Sequence, residues 1–125
     1  MANEITTSVL VQVLKPSIYL AETVNTSNLQ QDMSGSHIHH EVYDLTTSWA
    51  SIGKGGVVNM GVCVIRNTTA AGVVQVSFDA GTTSHLTIPA GKAVLLHLTP
   101  GQTVTDIQLK VTASTGTARV LIVEA

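Results

Sequence analysis

Apolar and polar residues alternate along most of this chain, and the alternation resets about every ten residues at a Gly, Pro, Asn or Asp. The rhythm is cleanest after Val57. Val58, Met60, Val62 and Val64 share one parity and predict a strand ending at Arg66, with those four side chains toward a core. Val74, Val76 and Phe78 predict the next strand, then Leu86 and Ile88, then Val94, Leu96 and Leu98. Ile107, Leu109 and Val111 follow, and Ala118, Val120 and Ile122 close the chain. Turns fall at Asp79-Ala80-Gly81, Pro89-Ala90-Gly91, Pro100-Gly101 and Ser114-Thr115-Gly116. Six strands after residue 57, two or three before it and no sustained helical period predict an all-β fold. Its expected form is an antiparallel β-sandwich, jelly-roll-like, with a closed barrel as the other solution.

The first half is less regular. Val9-Leu10-Val11-Gln12-Val13-Leu14 is apolar on both faces. It reads as a strand buried on two sides or as an extended N-terminal arm laid on a neighbour, so Val9, Leu10, Val11, Val13 and Leu14 are the expected partner contacts. After Pro16, Ile18, Leu20 and Val24 share a face, and the polar stretch 25–36 reads as a long loop. Residues 37–52 form one bent strand or two short ones. Residues 1–125 are thus expected to make a single sandwich domain, with 1–14 as arm or first strand.

Some positions do not fit a one-sided sheet. Cys63, Ile65, Leu95, Leu121 and Val123 fall on the parity opposite the expected core. With the first strand they predict surplus apolar surface, which a small monomer rarely leaves in one patch. The expected remedy is a homo-oligomer or larger assembly.

Composition narrows the chemistry. Aromatic residues are only 3% of the chain, so the core must be aliphatic. A net charge of −2 lacks the cationic footprint of a nucleic-acid binder. No stretch has the length of a membrane span, and the N-terminus lacks the basic start and apolar core of a signal peptide. A soluble protein made in a cytoplasm is expected, and the N-x-S/T matches at Asn25 and Asn67 then carry no glycan. Cys63, alone in an apolar run, reads as a buried inert thiol.

The sharpest chemical candidate is His37-Ile38-His39-His40-Glu41. On a strand, His37, His39 and Glu41 point to one face, a donor set suited to Zn or a similar ion. The segment is similar to the first motif of the cupins, metal-binding jelly rolls. However, Gly35 lies too close to His37, and Glu41 follows His39 too soon. After Pro89-Ala90-Gly91 the next histidine, His97, is too distant for the second cupin motif. A solvated polar strand is therefore expected, with no cofactor. A structural metal, or a ring of these histidines around an oligomer axis, is the alternative. Gly53-Lys54-Gly55-Gly56 lacks the spacing and following hydroxyl of a phosphate loop. Ser84 and His85 lie on opposite strand faces, and the carboxylates are scattered, so no catalytic frame is expected. Trp49, Tyr19 and Tyr43 are too few to define a sugar platform by themselves.

The run Ile65-Arg66-Asn67, then Val74-Gln75-Val76-Ser77-Phe78-Asp79, then Leu86-Thr87-Ile88-Pro89-Ala90-Gly91 and the apolar strand after it resembles small virion proteins of tailed bacteriophages. The close, Thr117-Ala118-Arg119-Val120-Leu121-Ile122-Val123-Glu124, shares the resemblance. It covers roughly the C-terminal half. It implies a non-enzymatic virion protein assembled from subunits made in the host cytoplasm. The favoured role is capsid decoration (cement), as a homotrimer bound to the major capsid protein. A tail, neck or fibre component is the second role, and a carbohydrate-binding sandwich module the rival from another class.

Overall fold

The computed structural model describes residues 5, 37–53, 56–97 and 106–124 with their side chains, and the backbone of 9–15 and 18–24. The chain divides into two compact units, Met1–Met33 and Ser34–Ala125. In the first, strands β1 (Val9–Lys15) and β2 (Ile18–Val24) pair antiparallel from Val9↔Val24 to Lys15↔Ile18. The side chains of Val9, Leu10, Val11, Val13 and Leu14 lie outside the described residues, as does the expected loop 25–36.

The second unit is all-β, and its described residues contain no helix. It has two antiparallel four-stranded sheets, as a β-sandwich requires. Sheet one runs in the order β3 (Ile38–Leu45), β10 (Gly116–Glu124), β5 (Met60–Asn67), β8 (Ala93–His97). Sheet two runs in the order β4 (Ala50–Ser51), β9 (Gln108–Val111), β6 (Val74–Ser77), β7 (Leu86–Ile88). The segment 37–52 therefore makes two strands, one in each sheet. At the crossing, Thr46 C=O accepts from Val111 N–H at 2.9 Å, and Ile52 N–H donates to Ile107 C=O at 3.0 Å.

The core is aliphatic, as the scarcity of aromatics predicts. Leu45, Ile65, Val120 and Ile122 of sheet one meet Val74, Val76, Leu109 and Val111 of sheet two, all buried. Each such side chain contributes about 1.5–3 kcal/mol by leaving water. The expected facings hold for β6, β7, β8, β9 and β10. They fail on β5. Val123 pairs with Val62 but Glu124 pairs with Met60, so Gly61 is an extra residue that shifts the alternation. Met60 stays in the core, yet beyond the bulge Cys63 and Ile65 face inward while Val62 and Val64 face outward.

A buried asparagine ties the sheets together. The Asn67 side chain is fully enclosed; its Nδ2 donates to Ile88 C=O at 2.8 Å and Gly72 C=O at 3.1 Å, and its Oδ1 accepts from Thr69 N–H at 2.9 Å. Gly72 has φ of +101°, and a Cβ there would stand 2.9 Å from Ala113 Cβ, so the loop after β5 needs glycine at this point.

Candidate functional site

The histidine cluster divides between two sets of contacts. His37 precedes β3 and turns to the end of the last strand: its backbone N–H and its Nδ1 lie 3.3 and 3.0 Å from Glu124 Oε2. Glu124 Oε1 also accepts from Val58 N–H at 3.2 Å. The His37 hydrogen bond, then that from Val58, holds the Glu124 carboxyl below its ordinary range. His39 instead bonds Tyr43 Oη through Nε2, which also lies 3.5 Å from Glu41 Oε2. Tyr43 O–H donates to Gly53 C=O at 3.4 Å. Partial burial, then the neighbouring Glu41 charge, raise the Tyr43 pKa. His39 and Glu41 thus come together, while His37 is committed to Glu124. Among the described residues no three His, Cys, Asp or Glu side chains stand close enough to hold a metal ion.

The nucleophile candidates are occupied or enclosed. Cys63 is fully buried, and burial pushes its thiol up to about 12, so the thiolate is suppressed at neutral pH. Ser84 O–H donates to Leu86 C=O at 3.5 Å. His85 Nδ1 accepts from Phe78 N–H at 3.2 Å. Asp79 organises the adjoining turn: it accepts from Ser77 O–H at 2.6 Å and Thr83 N–H at 2.8 Å, and these bonds lower its pKa to about 2.

Among the described residues, no ring contact joins Trp49 to Tyr43. Trp49 lies under Lys110 Nζ, 4.5 Å from its ring centroid, and Gly81, at φ +82°, packs so closely that a Cβ would stand 2.9 Å from Trp49 Cγ. Tyr43 is engaged by His39. The Tyr19 side chain lies outside the described residues. One end of the sandwich holds an open cleft of about 650 Å³, lined by Asp44 and by hydroxyls of Thr46, Thr68, Thr69 and Thr117. Those hydroxyls bond largely to one another and to backbone, Thr68 Oγ1 to Thr117 Oγ1 at 2.7 Å and Thr69 Oγ1 to Thr117 C=O at 3.1 Å.

The distinctive surface is the outer face of sheet one. Its rows, read across β3, β10, β5 and β8, are Ile38–Val123–Val62–His97, then His40–Leu121–Val64–Leu95, then Val42–Arg119–Arg66–Ala93. Val62 and Val123 are buried, and Leu121, Val64 and Leu95 are half-buried. Ile38 and Val42 remain 56% and 52% exposed. The apolar residues of the opposite parity therefore lie on this face, with Val62 and Val64 in place of Cys63 and Ile65; Ile38 and Val42 are the ones left exposed, while Val62 and Val123 are covered. The arginine row was not foreseen, because no local pattern relates positions so far apart in the chain.

Set against known protein families, curated proteins and solved structures, the chain matches none.

Proposed function

We propose that this chain is a non-enzymatic structural component of a tailed-phage virion, a decoration protein that attaches to the capsid surface as a homo-oligomer. The observation that carries the reading is the outer face of sheet one, where Ile38 and Val42 stand exposed beside half-buried Leu121, Val64 and Leu95. A sheet that is aliphatic on both faces suits a protein whose work is contact. The likeness of the C-terminal half to small virion proteins supports the same reading. Several weak contacts made at once by a symmetric oligomer, a trimer in the form the resemblance implies, add up through avidity.

The test is co-sedimentation of the purified protein with undecorated heads of the phage whose genome carries it. Saturable binding at a fixed number of copies per head is expected. Deleting residues 1–14, which removes all of β1 except Lys15 together with the five expected contact residues, is expected to abolish attachment. Failure to bind heads, with binding to tails or to a glycan instead, overturns the capsid assignment.

A further inference from the structure

The chain has two arginines, Arg66 and Arg119, and the fold sets them side by side. They are directly opposed on β5 and β10, the two inner strands of sheet one, and both are exposed on its outer face. Directly opposed side chains on neighbouring strands stand about 5 Å apart at Cβ, where like charges oppose pairing. No ion pair among the described residues involves either arginine. Asp44, the nearest acid in register, lies opposite Thr117 on the diagonal from Arg119. Among the described residues, the ion pairs with carboxylates are all made by histidines. Two permanent cations therefore share the centre of a sheet, and among the described residues no carboxylate is paired with either.

Their surroundings indicate what completes them. Val42 and Ala93, exposed, flank the pair in its own row, and Leu121 and Val64 lie in the row above. Guanidinium groups set among aliphatic side chains have the composition of the energetic centre of a protein interface. A nucleic-acid site needs further cations spaced along the phosphates, and this chain carries a net charge of −2. We infer that the outer face of sheet one docks a polypeptide segment of another protein that presents two carboxylates at cross-strand spacing with an aliphatic side chain between them. Each guanidinium takes one carboxylate through paired N–H···O bonds. The bound acids also cancel the repulsion between the arginines, so docking stabilises the sheet that receives it. This inference goes beyond the virion reading and does not depend on it.

The experiment uses the full chain and the capped peptide Ser-Glu-Val-Glu-Ser, with Ser-Gln-Val-Gln-Ser and inorganic phosphate at matched ionic strength as comparators. Side-chain Nε resonances of Arg66 and Arg119 and the melting temperature are followed. The diacid peptide is expected to move both resonances saturably and to raise the melting temperature, and the diamide to do neither. Arg66→Gln or Arg119→Gln is expected to weaken peptide binding about tenfold. Each substitution is also expected to raise the melting temperature of the peptide-free chain at low salt by roughly 1–4 °C, because the charge opposition is gone. Absence of saturation overturns the inference. An equal response to phosphate replaces it with a plain anion site, and lower melting temperatures in both variants mark the arginines as structural. A protein that binds the diacid peptide but ignores phage heads keeps this inference and loses the virion reading; the reverse result separates them equally well.

Discussion

The two sheets of the sandwich have the same inner chemistry and opposite outer chemistry. Inward, both present Val, Leu and Ile. Outward, sheet two is polar: Gln75 stands between Thr87 and Lys110, and Ser51 beside Gln108. Ser51 O–H donates to Asp106, and Gln108 Nε2 donates to the same carboxylate at 2.9 Å, so this face satisfies itself. Sheet one carries valines, leucines and an arginine pair on its outer face. Folding alone explains the buried inner residues and the polar outer face of sheet two. It does not explain the exposed Ile38 and Val42 or the arginine pair on the outer face of sheet one, and that difference separates what this chain needs to fold from what it needs for contact.

The largest effects should come from the shared interior and be alike for both sheets. Ile65→Ala in sheet one and Leu109→Ala in sheet two each remove a fully buried side chain. Each should cost about 2–5 kcal/mol in urea unfolding, through lost transfer energy and an unfilled cavity. A much smaller loss for Ile65 would mean that β5 does not face the core beyond Gly61. Asn67→Ala comes next. It leaves the Ile88 carbonyl without its buried donor and cuts a link between β5 and β7, at about 1–3 kcal/mol.

Acid should act through the clasp at the end of sheet one. The folded-state pKa of Glu124 is depressed, chiefly by the His37 hydrogen bond and then by Val58 N–H. Its stabilisation is therefore fully present above the unfolded carboxyl value. It is lost as pH falls through that value toward the folded one. Asp79, lowered to about 2 by Ser77 and Thr83, acts in the same direction and extends the loss to lower pH. Melting temperatures of Glu124→Gln and the parent should converge as pH drops from 6 to 3, with the parent higher at pH 6. Parallel curves would show that the clasp adds nothing.

The sequence yields the sandwich because five of the strands beyond residue 57 keep an unbroken period of two. Met60–Asn67 breaks it at Gly61, whose only sign in the sequence is a glycine inside an apolar run. Without the bulge, Val62 and Val64 read as core and Cys63 and Ile65 as surface, the reverse of what the fold does. The histidines of the cluster have separate partners for a similar reason. Strand parity places His37 and His39 on one face, but His37 lies ahead of β3 and bonds Glu124, a residue from the far end of the chain. The role of Asn67, and the meeting of Arg66 with Arg119, depend on pairings between distant segments that no local period encodes.

The smallest effect on folding should accompany the clearest difference between the two outer faces. Val42 is half exposed at its edge strand, and Gln75 lies on the polar face of sheet two. Replacing either by Ser should change stability by no more than about 0.5 kcal/mol, since neither substitution opens a cavity nor strands a buried polar group. Association should respond differently. Val42→Ser takes aliphatic surface from the face proposed for contact, so binding to phage heads should weaken while Gln75→Ser binds like the parent. Equal binding by both variants, with both stabilities unchanged, would leave the aliphatic rows of sheet one without a role in docking. The surplus would then belong to the ordinary apolar exposure of small proteins, and the contrast between the sheets would lose its functional meaning.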